Sequence, residues 1–222
     1  MFIGHYGAAF AGKIVSFPGG KKSRKPSLGT LFLATQFLDV LWPVFILLGI
    51  EKIAITNSAN TFLNVQFLYY PFSHSLAGSV VWSLLFAFVY YIIRRNVKYS
   101  LLCGVLVLSH WVLDLISHIP DLQIIPGIEL RVGLGLWNSE VLTVIIEGLI
   151  FTAGIYLYFR STTAKNKRGW ITLWGLIIFL IIAYITSIFS PAPPSVNAIG
   201  YAGLSQWLII AWGYWIDRNR SN

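Results

Sequence analysis

The sequence predicts an all-α polytopic membrane protein: a helical bundle of six transmembrane spans, preceded by a short helix that enters the membrane. Three observations carry this. Hydrophobic residues make up 56% of the 222 residues, and mean hydropathy is +0.71. Charged residues make up only 11%, against about a quarter in a soluble domain. The apolar residues gather in runs near the 20 or so that a helix needs to cross a bilayer, without the alternation of barrel strands. So little charge cannot coat a water-facing surface, which excludes soluble globular, disordered and coiled-coil classes. Cys103 is the single cysteine, so a disulfide scaffold is excluded as well.

The elements follow in chain order. Met1–Phe17 is apolar apart from His5 and Lys13. Its charges follow the apolar run instead of preceding it, unlike a signal peptide, so it reads as a short membrane helix with Lys13 snorkelling toward the cytoplasm. The six expected spans are Leu28–Ile50, Phe72–Ile93, Tyr99–Ile119, Val141–Phe159, Gly169–Phe189 and Ile199–Ile216. Arg94-Arg95-Asn96, Lys165-Asn166-Lys167-Arg168 and Pro191-Ala192-Pro193-Pro194 break the apolar runs between them. Ser139 precedes the fourth span as an N-cap. No internal repeat is visible. Residues 1–222 are expected to form one membrane-embedded domain, with 1–160 as the core and 161–222 adding two spans.

The formal net charge is +8, and its placement points to a bilayer as partner. In the six-span arrangement, 14 of the 16 Lys and Arg fall on one side; only Lys52 and Arg131 fall on the other. By the positive-inside rule the basic side is cytoplasmic, and the C-terminus with it. The run Lys21, Lys22, Arg24, Lys25 reads as a topology signal, and no nucleic-acid partner is expected.

The ionisable residues inside the apolar segments are the candidate site. An ionisable group within a span costs several kcal/mol unless it is paired or lines a cavity. The third span carries His110-x3-Asp114-x3-His118, positions that share one helix face over roughly 12 Å. Asp121 follows in the loop. Asp39 lies mid-way along the first span with Gln36 a turn earlier, His74 opens the second, Glu147 lies about two turns into the fourth, and His5 sits at the start of the N-terminal segment. All fall between the mid-plane and the outer surface, so they can converge on one outward-facing pocket.

Histidine and carboxylate together are ligands for a divalent metal, Zn²⁺ first among them. A hydrogen-bonded network joining helices and a proton or ion relay are the alternatives. Glu147 stands as either ligand or support. The abundant Trp and Tyr read as interfacial belt. Gly133-Leu134-Gly135-Leu136-Trp137-Asn138 lacks the strand–turn–helix context of a phosphate loop and reads as a tight outer loop over the pocket.

Taken together, Gly4-His5, Gln36 with Asp39, Ser73-His74-Ser75, Ser109-His110-Trp111-Val112-Leu113-Asp114, His118-Ile119-Pro120-Asp121 and Gly133-Leu134-Gly135-Leu136-Trp137 resemble a bacterial family of membrane-bound metal-dependent hydrolases, the LexA-regulated inner-membrane type. The resemblance covers about residues 1–160. That family is in turn similar to the all-helical zinc-dependent phospholipase C and single-strand nuclease superfamily. The resemblance implies that Asp39, His74, His110 and Asp114 hold one metal. It implies that Asp114 bridges to a second metal shared with His5 and the Met1 amino group, and that His118 matches the start of a third site. No histidine follows His118, so one or two ions are expected.

The expected activity is hydrolysis by a metal-activated water at a phosphoester of a small or lipid-like substrate, in a bacterial inner membrane. Asp114 would stand at the catalytic centre, with Asp121 or Glu140 as general acid or base. An ion- or proton-coupled transporter using the same His and Asp groups, and a non-catalytic metal-binding membrane protein, are the competing expectations. The sequence carries no sign of oligomeric state.

Overall fold

The structure is a computed structural model that describes residues 1–15 and 25–221. The basic residues Lys21, Lys22 and Arg24 lie outside the described residues, as does Phe17.

The architecture is helical, with small two-stranded ribbons at its ends. Among the described residues, four helices are long and apolar enough to cross a membrane: α5 (Leu76–Arg94), α6 (Val97–Ser117), α7 (Glu140–Ser161) and α8 (Lys167–Phe189). Polar caps start them where the apolar runs begin. Asn96 accepts the Tyr99 amide at 3.0 Å, Ser139 the Leu142 amide at 3.3 Å and Asn166 the Gly169 amide at 3.0 Å. Each such cap is worth about 1 kcal/mol.

The other two expected spans are not single helices. Leu28–Ile50 is divided into α2 (Leu28–Thr35) and α3 (Phe37–Leu47), bent by 54° at Gln36. Ile199–Ile216 is divided into α9 (Val196–Leu204) and α10 (Gln206–Arg218), interrupted at Ser205. Counting the bent α2–α3 pair as one span gives five. The two interrupted segments pack on each other, α10 on α2 and α9 on α3. Pro43 explains one contact. It has no N–H to donate to the Asp39 carbonyl one turn back, and the Gln206 side chain donates there instead, at 3.2 Å. The second expected span also starts late. The short α4 (Pro71–His74) precedes it, and Ser75, in extended conformation, caps α5 through the Gly78 amide.

The N-terminal helix α1 (Ile3–Gly12) runs through the interior, packed chiefly on α7 and also on α2 and α6. It is apolar nearly all round, as a buried helix must be. Small residues bring it close to α7: a Cβ on Gly154 would collide with the Gly7 carbonyl. Phe10 packs edge-on against Phe32 of α2 and Tyr158 of α7, with both pairs of centroids 5.2 Å apart.

Lys13 does not snorkel. It is 1% exposed and forms a 2.5 Å ion pair with Asp217 of α10, while also donating to the Pro26 carbonyl at 2.8 Å. A carboxylate within reach removes the need to extend the side chain toward water. The described basic residues of the α1 and α10 ends and of the α5–α6 and α7–α8 turns lie at one end of the bundle. Lys52 and Arg131 lie at the other, in the ribbons β1–β2 (Lys52–Ile55, Val65–Tyr69) and β3–β4 (Leu122–Gln123, Arg131–Val132). At the basic end, β5 (Thr163–Ala164) pairs with β6 (Arg220–Ser221).

Candidate metal centre

The ionisable groups collect at the bundle end opposite the basic one, around Asp114 in the last turn of α6. Its two oxygens face different partners. Oδ2 lies 3.1 Å from His110 Nε2 and 3.7 Å from His74 Nε2. Oδ1 lies 2.6 Å from the Met1 amino nitrogen, 3.1 Å from His5 Nε2 and 3.9 Å from His118 Nε2. On the Oδ2 side, Asp39 Oδ1 completes a group, 3.4 Å from His74 Nε2 and 3.6 Å from His110 Nε2.

The histidine tautomers follow from their neighbours. His110 Nδ1 meets the Thr35 carbonyl at 2.6 Å, and a carbonyl can only accept, so Nδ1 carries the hydrogen. That carbonyl sits at the α2–α3 break, so the bend in the helix orients the ring. His74 Nδ1 meets Ser73 Oγ at 2.7 Å, while Ser73 gives its own hydrogen to Glu51 at 2.6 Å; Nδ1 is again the donor. His118 Nδ1 donates to Asp121 at 2.9 Å. In its neutral form each ring would turn an Nε2 lone pair inward, toward carboxylate oxygens.

Lone pairs facing carboxylates repel unless a cation lies between them. His110 Nε2 makes no hydrogen bond, although Asp114 Oδ2 is only 3.1 Å away. The two atoms are close without the geometry of a hydrogen bond. Donors about 2.1 Å from a tetrahedral zinc stand roughly 3.4 Å apart. The four measured separations among Asp39, His74, His110 and Asp114 run from 3.1 to 3.7 Å. The residues fit a divalent metal. Two groups of three, His5 with His110 and Asp114, and Asp39 with His74 and His110, are each close enough to hold an ion; they share His110, so they are alternative sets.

Support comes from residues the sequence reading did not connect. Glu51 takes both the backbone amide and the hydroxyl of Ser73, making a carboxylate–hydroxyl–imidazole chain behind His74. Trp111 Nε1 donates to the His74 carbonyl at 2.9 Å. Tyr70 donates to Asp121 at 2.7 Å, and burial together with the Asp121 charge pushes its phenol well above its ordinary range, so it remains a donor. The scarcity of acids is the signal that could have found Glu51: with eight in the chain, each one is worth placing.

The remaining candidates take other positions. Glu147 accepts the amides of Phe2 at 2.8 Å and Gly4 at 3.2 Å, anchoring the start of α1. Asp121 accepts from both His118 and Tyr70. Glu140 accepts the Thr61 amide at 2.8 Å at the start of α7, tying that helix to the short turn Thr61–Leu63. Trp137, in the glycine-rich loop, stands 4.0 Å from the His118 ring, centroid to centroid. The Asp39 side chain, 25% exposed, is the open edge of the cluster, whereas that of Asp114 is 3% exposed.

Comparison of the chain with protein-family models, with curated proteins and with solved structures finds no match.

Proposed function

We propose that this chain is a membrane-embedded hydrolase that uses one or two divalent metal ions, zinc first among them, and that it belongs to the membrane-bound hydrolase type its motifs resemble. One observation carries the reading. His74, His110 and His118 each commit Nδ1–H to an acceptor and turn Nε2 toward Asp39 or Asp114. Such outer partners fix the ring and raise its basicity as a ligand.

Asp39, His74, His110 and Asp114 would hold one ion, and Asp114, His5, His118 and the Met1 amine the other. When bound, a divalent ion supplies an acidified water and polarises a phosphoryl or carbonyl oxygen. The chain itself holds the ligands rigid, shields the Asp114 side from water and leaves Asp39 as the approach. Asp121 and Tyr70 keep His118 in one tautomer. Exposed apolar residues at this end, among them Leu68, Phe72, Ile128 and Leu130, favour an amphiphilic phosphoester such as a phospholipid or lipid-linked phosphate. The charge asymmetry favours a bacterial inner membrane, with the basic end and the C-terminus cytoplasmic and the cluster opening toward the outer leaflet.

The test uses the detergent-purified full chain with a phosphodiester and a range of phospholipids. Hydrolysis that is lost with a chelator, restored by added zinc and absent in Asp114→Asn supports the reading. Turnover unaffected by both treatments overturns it.

A second reading has its own support. Two interrupted helices packed on each other beside buried ionisable groups also suit an ion-coupled transporter. Zinc flux into proteoliposomes without hydrolysis of any substrate would favour it.

A further inference from the structure

The molecule has a second concavity, at the end remote from the metal cluster. A groove of about 1140 Å³ lies between α2, α5 and α10, somewhat larger than the ~300–1,000 Å³ usual for ligand pockets. Its lining changes character along the helices. Lys25, Arg94 and Arg218 line the outer end, with the Tyr90 and Tyr214 phenols just inside. Phe37, Leu85, Phe86 and Val89 line the deeper part. The carboxylate in the lining, Asp217, is already engaged by Lys13, the Leu28 amide and the Tyr158 hydroxyl. Arg94 and Arg218 are exposed, so the groove presents net positive charge at one end only.

The dimensions suit one leaflet. From Leu85 to Arg94 α5 advances about 14 Å, close to half of the ~30 Å hydrocarbon core. The rest of the bundle leaves α5 largely uncovered, with 6% of its apolar window buried, so the groove opens sideways where a bilayer would place acyl chains. Free phosphate would leave the apolar length empty. A polar peptide would set its backbone against side chains that offer no hydrogen bonds.

We propose that this groove holds one anionic phospholipid of the leaflet at the basic end. Its phosphate would lie among Lys25, Arg94 and Arg218, and an acyl chain along Phe37, Leu85 and Val89. Basic pockets between transmembrane helices are suited to anionic headgroups, and each cation near the surface is worth about a fivefold gain in binding. The inference requires a bilayer but neither the metal nor hydrolysis.

The experiment is native mass spectrometry of the full chain in neutral detergent, titrated with phosphatidylglycerol or phosphatidylcholine. The wild type should retain one phosphatidylglycerol in preference to phosphatidylcholine. The double variant Arg94→Gln/Arg218→Gln should bind it about twenty-five-fold more weakly. Lys165→Gln/Arg168→Gln, at the same end but outside the groove, should bind as the wild type does. Leu85→Trp, which fills the apolar part without changing charge, should also weaken retention. Equal retention of the two lipids, equal loss in both charge variants, or equal competition by inorganic phosphate would overturn the proposal. So would lipid binding that appears only after deletion of residues 16–24, since that segment would then be the native occupant.

Discussion

The imidazole rings of His5 and His110 lie parallel, with centroids 3.7 Å apart and planes 6° apart, and their Nε2 atoms approach different oxygens of Asp114, each at 3.1 Å. The two rings come from helices far apart in sequence, and they divide the cluster into two faces that share one carboxylate.

The first prediction follows from that division. The wild-type chain should carry one ion on each filled face of Asp114, the Oδ2 face with Asp39, His74 and His110 and the Oδ1 face with Met1, His5 and His118. His5→Ala should lose the ion on the Oδ1 face and keep the other. His74→Ala should do the reverse, and Asp114→Asn should lose both. Elemental analysis of the purified variants reads this directly; identical metal content in His5→Ala and His74→Ala would collapse the two faces into one site.

Glu51 and Ser73 touch no candidate ligand atom of the centre, yet they should matter to it. Ser73→Ala removes the acceptor of His74 Nδ1–H, and Glu51→Gln weakens the group behind that acceptor. Each should lower zinc affinity by about 10–100-fold while leaving the ion count at saturation unchanged. Competition with a chromogenic chelator measures this. Wild-type affinity in both variants would mean that the ring is held by packing alone.

Buried Lys13 and half-buried Asp217 form an ion pair, so their substitutions should be non-additive. Removing one partner strands the other and costs about 3–5 kcal/mol. The double variant Lys13→Met/Asp217→Asn should recover most of that loss, because Asn can still accept from the Leu28 amide and no charge remains. Denaturant unfolding in one detergent, run as a double-mutant cycle, gives the coupling; a double variant as unstable as the sum of the singles would show no coupling.

Orientation is tested by paired reporters. A fusion after Arg218 should report the cytoplasm, and an insertion in the Glu129 loop should report the opposite side, because the basic residues gather at one end. The reverse result in both positions would invert the bundle and place the cluster on the cytoplasmic side.

How much of this was legible depends on range. His110, Asp114 and His118 follow one another at helical spacing, so a local rule groups them. The six apolar runs were equally plain, and four of them are the long helices. The interruptions at Gln36 and Ser205 were not, because neither residue breaks a helix intrinsically and a hydropathy window averages across both. The Thr35 carbonyl freed at the Gln36 break is taken by His110, 75 positions away. The link from Glu51 to Ser73 crosses 22 positions and a ribbon. Lys13 looked like a snorkelling residue because its partner is 204 positions downstream. Glu140 is visible beside the loop, while the Thr61 amide it accepts lies 79 positions away.

The Lys13–Asp217 pair also sets a clock. At about 5–20 residues per second, Asp217 leaves the ribosome some 10–40 s after Lys13. Through that interval α1 has no counter-charge for its lysine in the bundle interior, and α10 is not yet there to close over α2. The helix that carries His5 is made first, and its lysine is paired last, after α2, α6 and α7, against which α1 packs, are already made. A chain ending before α10 would thus hold every residue of the cluster and still leave a buried lysine without its carboxylate.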